Sequence, residues 1–365
     1  MLWLFIVQTE QHKIIPNMMK ASISFNMGLE VDLTRLLTKH HLQKSGWLIH
    51  CLRKHSLLIT LILLSLASLF VGVGNVSLAT LMQGDVTTWQ LFMTSRIPRL
   101  LAILLAGGGL SIAGLIMQQI SQNRFAAPST SGTIECAMLG FVLSLVIFGN
   151  GDQLWLIFAI AMLGTWCFVQ LIQRVQFKNV VFVPLIGIIF GNIVSSMAMF
   201  IAYKYDAVQN LSGWSVANFA NILAGNYELL YIALPVMVIS FLYAARISAV
   251  GMGKDFAVNL GLNYQHVLTL GVALVSIMSA SVVMIVGQLP FLGLIVPNLV
   301  NRFYGDNLRK NIPRTAMLGG ILVLLCDLAG RLIIFPYEVP ISMVISLLGG
   351  GVFIFLILKG MKRDG

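Results

Sequence analysis

Charged side chains are scarce in this chain of 365 residues: Asp, Glu, Lys and Arg make up 10% of it, against 58% for hydrophobic residues. So few charges cannot cover the surface of a soluble domain of this size. The shortage excludes a soluble globular protein. It predicts an all-α polytopic membrane protein, because helices satisfy their own backbone hydrogen bonds inside a bilayer.

Cysteine and histidine are also scarce, with four and six residues respectively. The cysteines lie far apart without a C-x-x-C pair, which excludes a disulfide framework and a zinc site. The sequence contains no G-x-x-x-x-G-K-[ST] phosphate loop, and no cluster of acids or histidines at membrane depth indicates ion coupling. We therefore predict no catalytic residue, no metal site and no cofactor, and an energy source outside the chain.

Apolar runs that can cross about 30 Å of hydrocarbon occur along most of the sequence. They lie at residues 57–73, 98–119, 132–149, 154–173, 180–202, 229–247, 267–287, 314–335 and 340–358. A further run, 289–304, is shorter and is interrupted by Pro290 and Pro297. The chain therefore has about ten transmembrane helices if the short run crosses, and nine if it re-enters.

The distribution of Lys and Arg favours ten crossings, because cytoplasmic loops carry an excess of these residues. With ten, nineteen of the 23 basic residues are cytoplasmic. The outer side then keeps only Arg96, Arg99, Lys204 and Arg331. The net charge of +10 thus follows topology and does not indicate a nucleic-acid partner. Both termini are predicted to be cytoplasmic.

Residues 1–50 differ from the rest, since they carry several charges and no apolar run long enough to cross. They form an N-terminal extension before a transmembrane domain at residues 51–365. One interpretation is a cytosolic segment on the membrane surface. The other is that translation begins later, at Met18, Met19 or Met27.

Arg96 and Arg99 open the second apolar run at its outer end. Arginines are costly beside hydrocarbon and are usually kept there for a function, which favours an acidic partner outside the membrane. Alternatively, they anchor the helix by reaching toward the interface. Asp327 lies four residues before Arg331 on the same helix. Arg331 can therefore either pair with Asp327 or contact the acidic partner outside the membrane.

Residues 248–266 are too polar to cross the membrane and carry a helical pattern. Phe256, Ala257 and Leu260 fall on one face of a short helix, and Gly261 follows as a C-cap glycine. The segment has few basic residues, which disfavours binding to lipid. We predict a cytosolic helix that docks into a groove on another protein.

Five motifs occur in an order that resembles the permease subunit of ABC importers for iron–siderophore complexes and vitamin B12. They are residues 96–99, 114–119, 123–128, 257–261 and 287–298, and the similarity covers roughly residues 57–360. The resemblance implies a type II importer permease fold with a cytosolic coupling helix, in the bacterial cytoplasmic membrane and in contact with its lipid.

The resemblance also implies partners and site residues. The partners are a second permease subunit, identical or related, two ATP-binding subunits, and an extracytoplasmic siderophore-binding protein. Arg96, Arg99 and Arg331 are expected to dock the binding protein. The coupling contact to the ATP-binding subunits is expected at Ala257, Leu260 and Gly261. Candidates for the translocation path are Gly114, Met117, Gln118, Pro128, Gly293, Pro297 and Asn298.

Two departures from the common family pattern indicate the substrate branch. Arg124 and Phe125 stand where many members have Pro-Leu, and Asn298 follows Pro297 where many have His. Both are similar to permeases for catecholate or mixed-ligand ferric siderophores. Vitamin B12 or haem import within the same family is the alternative. A stand-alone secondary transporter is a further one, although it would need buried coupling charges.

Overall fold

The computed structural model describes residues 56–72, 85–151, 153–174 and 182–361, and every regular element within these ranges is a helix. Contacts divide the chain into two units, Met1–Ser56 and Leu57–Gly365, and all of the described residues except Ser56 belong to the second. The predicted extension at residues 1–50 and the basic residues Lys362 and Arg363 lie outside the described ranges.

The helices follow the order of the predicted apolar runs. They are α1 Ser56–Phe70, α2 Val86–Leu91, α3 Ile97–Ile120, α4 Thr133–Phe148, α5 Leu154–Arg174, α6 Phe182–Lys204, α7 Val208–Ser215, α8 Ala233–Leu242, α9 Ala244–Gly251, α10 Lys254–Asn259, α11 Tyr264–Val286, α12 Leu292–Tyr304, α13 Leu308–Ile333 and α14 Ile341–Met361. A π-helical turn, Phe92–Arg96, joins α2 to α3, and short 3-10 turns lie at Pro128–Thr130 and Glu228–Ile232.

The predicted all-helical class is confirmed, and each of the ten predicted runs has a helical counterpart. Within the described part, five helices are long and apolar enough to cross a membrane, or six if the pair Glu228–Leu242 and Ala244–Gly251, bent by 66°, counts as one span. Helix α12, with 13 residues, is about 20 Å long and so shorter than the hydrocarbon layer. The number of crossings stays a prediction.

Helix ends follow local chemistry that the sequence carries. The side chains of Asn263 and Asn307 accept hydrogen bonds from backbone N–H groups in the first turns of α11 and α13. Asp85 does the same for α2, and the Thr88 and Thr87 hydroxyls, which donate to its carboxylate, lower the pKa of Asp85. Such caps satisfy donors that a helix start leaves unpaired.

Helix α3 is the centre of the bundle and contacts α13, α11, α12 and α9. It approaches α13 where Gly107 faces Gly319, since a Cβ at Gly107 would lie 2.8 Å from the Gly319 carbonyl oxygen. It approaches α12 at Gly114, where a Cβ would overlap the carbonyl oxygen of Gly293. Small residues at both crossings allow backbones to touch where no hydrophobic effect drives helix association.

A chain of buried hydroxyls links three other helices. Thr133 on α4 accepts a hydrogen bond of 2.8 Å from Thr165 on α5, and Ser276 on α11 donates to Thr165 over 3.1 Å. Ser131 lies 3.0 Å from the Thr133 hydroxyl. In an apolar interior these bonds hold the helices in register.

The crossing of α3 and α12 gives a stability prediction. Replacing Gly114 with Ala forces the two backbones apart, and overpacking of this kind costs about 1–3 kcal/mol. We expect a lower thermal unfolding midpoint for the purified protein in detergent. Gly350→Ala on α14 is the control, because nothing lies within 4 Å of a Cβ there; equal midpoints for the two variants would contradict the tight crossing.

Candidate functional site

Arg99, at the start of α3, binds two carboxylates that come from different parts of the chain. Its Nη2 and Nε donate to Oδ1 of Asp327 over 2.8 and 3.3 Å. Its Nη1 and Nη2 donate to the two carboxylate oxygens of Glu338 over 3.0 and 2.8 Å. The second pair is two-pronged, which is the strongest geometry between a guanidinium and a carboxylate.

Arg331 and Arg96 complete this group, which we call the outer cluster after the side on which the sequence predicts it (Arg96, Arg99, Asp327, Arg331 and Glu338). Arg331 pairs with the second oxygen of Asp327 and donates to the carbonyl oxygens of Ser68 and Val71 at 3.0 and 2.8 Å. Arg96 donates to the Val71 carbonyl oxygen at 2.6 Å. The end of α1 is thus tied to both α3 and α13.

The structure brings together all three arginines that the sequence singled out. Arg331 pairs with Asp327, one of the two roles that the sequence allowed for it, and both side chains are buried, 2% and 3% exposed. Docking of a binding protein by these arginines stays a prediction. Sequence reasoning missed Glu338, although three arginines in an apolar region need acids, and the whole chain has only 13.

On the side predicted to be cytosolic, α10 is the short helix expected within residues 248–266, and it follows α9 after a turn. Gly261 has φ +75°, and its N–H donates to the Val258 carbonyl over 2.8 Å. The N–H of Leu262 donates to the Ala257 carbonyl over 3.1 Å. These two bonds form a Schellman motif, so the predicted glycine cap is confirmed.

The single face predicted for α10 is wrong at one position. Ala257 is fully buried against the bundle, whereas Phe256 and Leu260 are 45% and 58% exposed. Neighbouring residues on a helix point about 100° apart. Ala257 therefore faces the bundle while Phe256, directly before it, points away. The exposed pair borders a groove of about 540 Å³, whose lining also includes Ala244, Ala245, Ser248, Ala249, Met252 and residues 306–309.

Of the seven path candidates, Gly114, Gly293 and Pro128 meet at the crossing of α3 and α12, and the other four lie further along these two helices. All are buried in this subunit except Asn298, whose amide donates to the carbonyl oxygens of Arg124 and Leu294, each at 2.8 Å. Gln118 is buried, and neither polar atom of its side chain has a hydrogen-bond partner in the described part of the chain. Whether these residues border a translocation path stays a prediction.

Among the described residues, no group of three or more His, Cys, Asp or Glu could hold a metal ion.

Comparison with known proteins gives a consistent set of matches. The model of the FecCD transport family matches residues 57–359. The petrobactin import system permease YclN of Bacillus subtilis is 44% identical, covering 83% of this chain and 97% of that protein. The ferric-anguibactin permease FatD of Vibrio anguillarum is 38% identical, covering 81% and 95%. A solved structure described as an inward-facing metal-chelate type ABC transporter aligns with a TM-score of 0.67 at 26% identity, covering 83% and 98%.

The outer cluster predicts a large effect for the conservative change Asp327→Asn. Removing this carboxylate leaves Arg99 and Arg331 short of negative charge in a buried site, and breaking a buried pair in this way costs about 3–5 kcal/mol. We expect a lower yield of folded protein and a markedly lower thermal unfolding midpoint in detergent.

The control is Asp306→Asn. Asp306 pairs with Arg124 over 2.9 Å, but both side chains are about two-thirds exposed, at 62% and 66%. Such a pair is worth at most about 1 kcal/mol. Similar midpoints for the two variants would contradict the structural role given to Asp327.

Proposed function

The chain belongs to the FecCD transport family, and on this basis we propose that it is the membrane permease subunit of an ABC importer that carries ferric siderophores into the cytoplasm. The observation that carries the proposal is the near full-length match to permeases named for petrobactin and anguibactin import. The likeness to a metal-chelate type ABC transporter supports it.

The proposed energy source is ATP hydrolysed by partner subunits, since the sequence has no phosphate loop of its own. Two ATP-binding subunits would bind the cytosolic face. A second permease, identical or related, would form the translocation path together with this one. The exposed side chains of Phe256 and Leu260 and the groove beside them support a docking surface at α10. With this face inside and ten crossings, as predicted, both termini are cytoplasmic.

On the opposite face, we propose that an extracytoplasmic binding protein delivers the iron chelate to the outer cluster. Three arginines beside two acids favour an acidic partner, because charge complementarity steers association. Between the two faces, the path would run past the crossing of α3 and α12. The unpaired amide of Gln118 supports this placement, since a buried polar group without a partner is costly and is retained mainly for function.

Transport then follows from alternating access. Closure of the ATP-binding subunits would push on α9 and α10. The helices of this chain that α9 and α10 contact would then tilt. The path would open first to the outside and then to the cytoplasm. A chelated iron arrives already coordinated, so the permease needs no metal ligands of its own.

Uptake in a strain that lacks this permease tests the proposal. Cells are given a panel of ferric siderophores labelled with radioactive iron, with and without the restored gene. We expect restored accumulation of one chelate or a small group of them. The control replaces the phosphate-loop lysine of the partner ATP-binding subunit with alanine and should abolish uptake. Accumulation that persists in this control would indicate a secondary transporter instead.

The glycine cap of α10 gives a second test. Gly261→Val places a β-branched residue at φ +75°, where the strain is about 1–3 kcal/mol. We expect the assembled transporter to keep hydrolysing ATP while fewer chelates enter per ATP. Gly261→Asn is the matched control, because Asn tolerates this conformation. A normal ratio of uptake to hydrolysis in the Val variant would count against coupling through α10.

A further inference from the structure

The three arginines of the outer cluster are not equivalent. Arg96 and Arg331 donate to backbone carbonyls at the end of α1, and Arg331 is neutralised by Asp327 on its own helix. These bonds tie three helices together and cannot be exchanged without loosening the bundle. Arg99 differs, because one of its two acids, Glu338, lies on the loop that follows α13.

Glu338 is the more accessible of the two acids. Its side chain is 24% exposed, whereas that of Asp327 is 3% exposed. Next to it, Phe335 and Tyr337 are 62% and 76% exposed. The backbone on its other side is fixed, since the N–H of Val339 donates to the Gly330 carbonyl over 3.0 Å. Glu338 can therefore release Arg99 by rotating its side chain, without movement of the loop.

The charges of the cluster attract an acid from outside. Three guanidinium groups and two carboxylates give an excess of one positive charge. If an acid from outside replaces Glu338 on Arg99, that guanidinium keeps its two-pronged partner and Glu338 turns into water. Exchange of one carboxylate for another costs far less free energy than exposing Arg99 without a partner. During the exchange the buried guanidinium is never left unpaired, and an unpaired buried charge is strongly destabilising.

We propose that Glu338 is an internal substitute for an acidic side chain of the extracytoplasmic binding protein. It holds Arg99 in the free permease and gives Arg99 up when the binding protein docks. This inference rests on the proposed function, which supplies the docking partner. It assigns the exchangeable docking contact to Arg99 and gives Arg96 and Arg331 the task of holding the helices.

The test measures the Kd between the detergent-purified permease complex and the binding protein that supports uptake. Glu338→Gln removes the carboxylate that competes for Arg99. We expect the Kd to fall about fivefold, which corresponds to the contribution of one solvent-accessible ion pair. Asp206→Asn is the matched control. Asp206 is exposed on another loop predicted to be outside, so this change removes the same charge without touching Arg99 and should leave the Kd unchanged.

The outcomes separate this inference from the proposed function. Weaker or unchanged docking in the Glu338→Gln variant would overturn the inference, as would an equal gain in Asp206→Asn. In an Arg99→Gln background, Glu338→Gln should have no further effect; if that background does not fold, the comparison with Asp206→Asn decides. If the wild-type complex does not bind the binding protein at all, the proposed function itself fails.

Discussion

The bonds of Asp327 to Arg99 and Arg331 are the constraint on which the outer half of the structure depends. Asp327 is 3% exposed and lies in the apolar second half of α13, where Arg331 is the only other charged residue. In such surroundings a carboxylate is stable only with full pairing, so its two oxygens fix the start of α3 and the end of α13 relative to each other. Through Arg331, the same acid is also linked to the last turn of α1. One acidic residue thus sets the relative positions of three helices.

Close contacts between glycines continue this arrangement toward the other face. After the cluster, α3 meets α13 at Gly107 and α12 at Gly114. Backbones that touch at two levels leave little freedom for α3 to rotate, because protein interiors are packed without spare volume. The buried hydroxyls of Thr133, Thr165 and Ser276 provide a similar restraint among α4, α5 and α11. Both restraints use small side chains, as expected where hydrophobic burial does not drive helix association.

The sequence predicted the helical class, the positions of the apolar helices and the cap at Gly261, because periodicity, length and turn chemistry are local properties. It also gave the pair of Asp327 and Arg331, which are four residues apart on one helix, as one of two roles for Arg331. It did not predict Glu338 as the partner of Arg99, since these residues lie 239 positions apart and only the folded bundle joins them. The inward turn of Ala257 was missed for the same reason: which face of α10 is covered depends on its neighbours, not on its own pattern.

Helix α3 connects the two faces on which the proposed function depends. Its 24 residues form a rod about 36 Å long, with Arg99 at one end and Gln118 near the other. At the second end it touches α9, where a Cβ at Gly251 would overlap the amide oxygen of Gln119. Gly251 is only two residues from Gly253, which precedes α10. A displacement of α10 would therefore pass through α9 to α3, and α3, held at its outer end by ion pairs, would strain those pairs if it moved. In the proposed exchange the carboxylate leaves Arg99 at this outer end of α3, so the proposed docking outside and closure inside would act on the same helix.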